Sequence, residues 1–382
     1  MRVSPFFSAI TGRLYPLVLL LNLALLPLRG QDAPTPPSPP APSTPPPALP
    51  VTVSPTDDAL RYVGRFDRSD PKGPRCAWSA SSVTVHFFGS ALNVLLADTG
   101  DDFWEVFLDG QPTGAIEIRP DQTLYPVAAG LPAQEHIAEL VKRSEFHVGV
   151  TQILGFQLDA QGKLLPVPPR PHRIEVIGDS ISCGYGNEAA TKEEKFTPKA
   201  ENATIAYGAL AARQLDADYI CIAWSGKKLW PNNSILDYYD RVLPPGDGAA
   251  WDFSSWQPDV VVINLGTNDF GMTNPDGPGW VAAYKALLVR LRAQYPNAAI
   301  YCTLGTMLGD WPADRKPASL IRGYLTGLTG EFQAAGDTKI RFLDFGTQKP
   351  ENGYGGSWHP SAKTHQLMAD QLVKTLRQDL GW

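Results

Sequence analysis

From residue 174 onward, apolar runs of strand length alternate with stretches of helical periodicity, and no other feature of the chain restricts its fold so strongly. The runs cover residues 174–177, 219–223, 260–264, 299–303 and 340–343, and the helical stretches cover 205–214, 281–294, 318–335 and 362–377. Short runs that are apolar throughout fit strands covered on both faces, and strands that alternate with helices run parallel. The expectation over residues 169–382 is an α/β three-layer domain with a five-stranded parallel sheet. In the strand order 2-1-3-4-5 the first three strands are neighbours, so the loops at their carboxyl ends converge.

Residues 57–168 follow another pattern. Val83, Val85 and Phe87 alternate with polar residues, Leu92, Val94 and Leu96 do so less cleanly, and Asp109-Gly110 is a hairpin-type turn ahead of residues 115–118. Short strands with turns between them predict an antiparallel β-sandwich. Trp78, Trp104 and His86 are either core filler or sugar platforms, and aromatic residues dominate the cores of such domains.

Ahead of the sandwich, Arg2 and Arg13 precede the apolar run 17–26, which is too short and too broken to span a bilayer. Residues 1–30 read as a signal peptide, and residues 31–56 as a proline-rich linker whose composition favours an extended spacer. The expected location is secreted or periplasmic, without stable membrane insertion; a retained N-terminal anchor is the alternative. A formal net charge of −6 without a basic block excludes a nucleic-acid surface, which needs clustered Lys and Arg. The four cysteines, at 76, 183, 221 and 302, have neither metal-ligand spacing nor a disulfide pattern, so no metal and no cofactor is expected.

Four features lie beyond strand ends of the α/β region: Gly178, Asp179 and Ser180 after the first, Ser225 and Gly226 after the second, Gly266, Thr267, Asn268 and Asp269 after the third, and Trp358, His359 and Pro360 after the fifth. Their convergence suits acyl transfer. Ser180 is either a nucleophile or a helix cap. A nucleophile needs a base, and His359 is the histidine placed beyond a strand end with a helix behind it. A tetrahedral intermediate needs donors aimed at its oxyanion, and the N–H groups of Ser180 and Gly226 with the side-chain amide of Asn268 are the natural set. Gly226 suits the task because a missing Cβ lets backbone approach a substrate closely. Asp179 and Asp269 read as turn and loop residues, and His86, His136, His147, His172 and His365 as ordinary surface or core residues. Nothing marks Cys183 as an activated thiol.

The ordered set Gly178-Asp-Ser180, Gly226, Gly266-Thr-Asn268 and His359 resembles the SGNH, or GDSL, hydrolase superfamily. The fuller wording of residues 178–187, with 206–209 and an upstream sandwich, is similar to carbohydrate esterase family 2 (acetyl xylan esterase type). The resemblance implies a jelly-roll followed by an SGNH domain, and an acetyl esterase acting on plant polysaccharide such as xylan or glucomannan. It implies Ser180 as nucleophile, His359 as base, and Ser180, Gly226 and Asn268 as the oxyanion hole. The expected partner is an acetylated polysaccharide or oligosaccharide.

One position departs from the superfamily pattern: Gly356 stands where an aspartate usually precedes the histidine by three residues. The orienter of His359 is then a main-chain carbonyl in the turn 355–358, such as that of Trp358, or the carboxylate of Asp344. Trp358 either stacks on a sugar or walls the pocket. The competing functions are an SGNH esterase on lipid or peptidoglycan acyl groups and a non-catalytic carbohydrate-binding protein.

Overall fold

The computed structural model describes residues 50–244 and 248–382, which all fall in one compact unit, Ala48–Trp382. The leader expected over residues 1–30, and the linker as far as residue 49, lie outside the described residues. The last residues assigned to the linker are strand: Val51–Val53 pairs antiparallel with Thr151–Leu158, so the sandwich begins before residue 57. Among the described residues no helix is long and apolar enough to cross a membrane.

The sandwich has two antiparallel sheets. One runs in the order Val51–Val53, Thr151–Leu158, Leu92–Asp98, Leu124–Ala128, with Arg75–Cys76 also on Thr151–Leu158. The other runs Lys163–Leu165, Ser82–Gly89, Gln134–Lys142, Phe103–Leu108, Gln111–Glu117, with Arg61–Val63 on Ser82–Gly89. Period-two side chains turn Val83, Val85 and Phe87 inward from one sheet to meet Leu92, Val94 and Leu96 from the other. Asp109 and Gly110 both have positive φ, which matches the twist of a two-residue hairpin between Phe103–Leu108 and Gln111–Glu117. Trp78 and Trp104 are buried and their ring N–H groups are satisfied, by the carbonyl of Val242 and the hydroxyl of Thr151. Both are core residues and not platforms.

The α/β part has a parallel sheet in the order Ala217–Ala223, His172–Gly178, Val260–Asn264, Ala299–Leu304, Ile340–Asp344, which is 2-1-3-4-5 in chain order. Alternate residues of each strand feed opposite layers. Ile177, Ile263 and Ile300 pack under the helices Gly277–Gln294 and Pro317–Ala334, and Val176, Val262 and Tyr301 under Tyr207–Gln214 and Ala362–Leu380. Gly277–Gln294 starts four residues before its periodicity does, because Asp276 accepts the N–H of Gly279 and Pro278 sits in the first turn where no donor is needed. Tyr207–Gln214 has no cap of its own; Nδ1 of the buried His365 accepts the N–H of Tyr207 at 3.2 Å.

The two layers of architecture are joined by buried polar groups. Arg65 of the sandwich is fully buried, donates to the carbonyls of Tyr239 and Arg241, and lies 3.8 Å from the buried Glu175 carboxylate on the first parallel strand. Glu175 also accepts the hydroxyls of Tyr239 and Tyr295.

Candidate active site

The first parallel strand ends in Gly178, where an added Cβ would lie 2.1 Å from the Ser182 hydroxyl. Asp179 then caps the short helix Ser180–Cys183 by accepting the N–H of Ile181 at 3.0 Å. Ser180 therefore does not cap the helix itself. Its hydroxyl is 2.9 Å from Nε2 of His359, a residue 179 positions away that reaches the same strand edge.

The other ring nitrogen, Nδ1, faces the carbonyl of Gly356 at 3.1 Å, which selects the tautomer with the proton on Nδ1 and leaves Nε2 to accept from serine. The acceptor is within the expected turn but is not the carbonyl of Trp358, which takes a hydrogen bond from Gln348. Asp344 is not at the ring either. Its carboxylate pairs with Arg322 at 2.7 Å and accepts the N–H of Gly346, so it serves the end of its own strand. Glycine allows the tight turn: an added Cβ at Gly355 would meet the Gly186 carbonyl at 2.5 Å, and one at Gly356 would meet the Glu194 carbonyl at 3.0 Å. Ser357 and Trp358 both adopt positive φ, a conformation unusual for such residues and held by hydrogen bonds from Gly356 to Gly186 and from Ser357 to Glu194. Tyr185 stacks on the His359 ring with centroids 4.2 Å apart. Burial holds the His359 imidazole below its usual pKa, against the opposing pull of the Gly356 carbonyl, so the ring is neutral and ready to accept a proton.

Gly226 has φ of 76°, and an added Cβ would meet nothing within 4 Å. Its need for glycine is the left-handed backbone and not a close approach of neighbouring atoms. The loop around it is fixed from several sides: Ser225 N–H donates to Glu145 at 2.7 Å, Asn233 donates to the Gly226 carbonyl, and Asn268 donates to the Lys227 carbonyl at 2.9 Å. Asn268 also reaches Asp179, at a long 3.4 Å, and so stands between the serine turn and this loop. Asp269 accepts the N–H groups of Leu229 and Trp230 and the ring N–H of Trp280, a structural role. Burial pushes Asp179 up to about 7, with Asp269 and Glu145 adding to the rise.

Trp358 is half exposed beside His359, with Lys192 over its ring at 4.2 Å. Cys183 is buried and its thiol is pushed well up by that burial, the opposite of an activated thiol. Residues that sequence reasoning passed over also gather here. Tyr185 backs the His359 ring, and Glu145 holds the Ser225–Gly226 loop although it belongs to the sandwich. Glu145, Cys183 and Glu201 offer ligand atoms all within 4.8 Å of one another, a cluster that no sequence spacing signals.

Residues 62–168 match the family model described as carbohydrate esterase 2 N-terminal, and residues 176–367 match that of the GDSL-like lipase/acylhydrolase family. The chain is similar to the cellulase/esterase CelE of Acetivibrio thermocellus, with 42% identity over 330 residues that make up 85% of this chain and 40% of that protein. The chain thus spans about two fifths of CelE. It is similar along most of both lengths to an acetylxylan esterase/glucomannan deacetylase of Cellvibrio japonicus, at 28% identity, covering 87% of this chain and 92% of the other. Among solved structures, a family two carbohydrate esterase from Clostridium thermocellum in complex with cellohexaose superposes with a TM-score of 0.80 at 42% identity, covering 85% of this chain and 99% of that one.

Proposed function

Because the chain belongs to carbohydrate esterase family 2, we propose that it removes O-acetyl groups from a plant polysaccharide, xylan or glucomannan, through an acyl-enzyme on Ser180. The observation that carries this reading is the 2.9 Å contact between the Ser180 hydroxyl and Nε2 of His359, with Nδ1 held on a carbonyl. In the first half-reaction Ser180 Oγ attacks the acetyl carbonyl and its proton passes to Nε2. The oxyanion takes hydrogen bonds from the N–H groups of Ser180 and Gly226 and from Asn268. The tetrahedral intermediate collapses, His359 returns the proton to the departing sugar hydroxyl, and water enters by the same route to release acetate. The Gly356 carbonyl orients the ring but stabilises the imidazolium less than a triad carboxylate does.

A polysaccharide as carrier of the ester is supported by the relatives, one named for acetylxylan and glucomannan and one solved with cellohexaose. The half-exposed Trp358 offers a face for a sugar ring. The leader-like residues 1–30 support secretion or periplasmic export. The test is acetate release from acetylated xylan and acetylated glucomannan by the full chain and by Ser180→Ala. The parent is expected to release acetate and the folded variant to lose at least about ten-thousandfold in kcat. A variant that turns over near the parent rate removes Ser180 from the chemistry.

A further inference from the structure

The oxyanion-side loop is held by a carboxylate from the other domain. Glu145 is fully buried; its Oε2 accepts the Ser225 N–H at 2.7 Å and faces Nδ1 of His147 at 3.4 Å, while its own N–H donates to Oε2 of Glu201 at 2.9 Å. Glu201, from the α/β part, is equally buried. A carboxylate oxygen of each lies within 4.8 Å of one of the other, and each has a buried Oε1 that no donor reaches. Two fully buried carboxyl groups that close do not both ionise, so one of them holds a proton.

Resting on the esterase reading above, we propose that Glu145 is a positioning residue for the oxyanion loop and carries a fixed negative charge beside it. Glu145 is the ionised partner. Its carboxyl is held below its usual range, against burial, by His147 and the Ser225 N–H, while burial and the Glu145 charge push Glu201 well up. The other groups that feel Glu145 include Cys183, Cys221, Asp179 and His359, and Lys142 acts on Glu201. Burial is the main cause that raises the Cys183 thiol and the Asp179 carboxyl and lowers the His359 imidazole; the Glu145 charge adds to the first two and opposes the third. Removing the charge lowers the affinity of His359 for a proton.

The two partners are not interchangeable, and that gives the experiment. In Glu201→Gln the side chain is neutral at every pH and its oxygen still accepts the Glu145 N–H. In Glu145→Gln the Ser225 hydrogen bond is kept by the amide oxygen but the charge is gone. With the full chain and nitrophenyl acetate, Glu145→Gln is expected to lower kcat about tenfold with little change in KM, less than the loss of a whole oxyanion donor. It is also expected to move the acid limb of kcat/KM to lower pH. Glu201→Gln is expected to keep the parent kcat and acid limb. A protonated-carboxyl stretch is expected in the infrared difference between parent and Glu201→Gln at neutral pH, a readout independent of whether Glu145→Gln folds. Parent-like kinetics in Glu145→Gln, no such band, or a divalent ion copurifying in stoichiometric amount and lost from either variant overturns the proposal. Ser180→Ala assayed in parallel separates the two readings: if it remains active the esterase assignment fails, and if it alone is inactive only the role of Glu145 fails.

Discussion

The loop that carries His359 reaches Ser180 directly and the loop that carries Gly226 is linked to the serine turn through Asn268, yet the two are held by opposite means. The His359 loop is fixed by main chain: Gly355, Gly356 and Ser357 donate to the carbonyls of His359, Gly186 and Glu194, and the ring itself leans on a carbonyl. The Gly226 loop is fixed by buried carboxylates, Glu145 at Ser225 and Asp269 at Leu229 and Trp230. Close glycine packing can aim a histidine without a charge, because it sets the tautomer by geometry. On the mechanism proposed above, rigid charges suit the Gly226 loop, whose donors would have to point already at a negative charge that appears only in the transition state.

Substitutions on each side test this contrast. Asn268→Ala removes a donor from the oxyanion side and is expected to lower kcat by about a hundredfold or more, with a smaller change in KM, read by steady-state kinetics. A loss confined to KM makes Asn268 a binding residue only. On the base side, Gly186→Ala forces a side chain into a positive-φ position where its Cβ would lie 2.9 Å from the Gly356 nitrogen. It is expected to lower kcat by about tenfold by misplacing His359, and to lower Tm by a few degrees at roughly 1–2 kcal/mol for the left-handed backbone. Parent values for both remove glycine packing as the source of the orientation. The smallest effect belongs to Asp344→Asn, which leaves kcat near the parent because that carboxylate serves Arg322. A fall of about ten-thousandfold, as when a triad carboxylate is neutralised, restores Asp344 as the third member.

The parallel sheet was legible because its strands are covered on both sides and therefore read as plain apolar runs, and the four loops of the site follow from where those runs stop. Asp344 shows where such reading ends. A carboxylate at a strand end has the same appearance whether it turns toward a histidine or toward an arginine, and Arg322 comes from a helix that only tertiary packing sets beside it. Glu145 was illegible for a related reason: it is a polar residue just past the sandwich strand Gln134–Lys142, and its partners Ser225 and Glu201 are 80 and 56 positions away. Val51–Val53 was hidden by the proline-rich composition around it, since a three-residue edge strand needs a partner to be recognised.

The burial of Arg65 against Glu175 bears on what can be exchanged in a protein like this one. Two family models divide the chain between residues 168 and 176, but the ion pair ties the sandwich to the first strand of the parallel sheet with both charges out of water. A catalytic half grafted onto another partner inherits an uncompensated carboxylate at Glu175, a defect on the order of 3–5 kcal/mol when one member of a buried pair is removed. The seam in the sequence is therefore not a seam in stability, and recombination or design with this architecture has to move both halves as a single part.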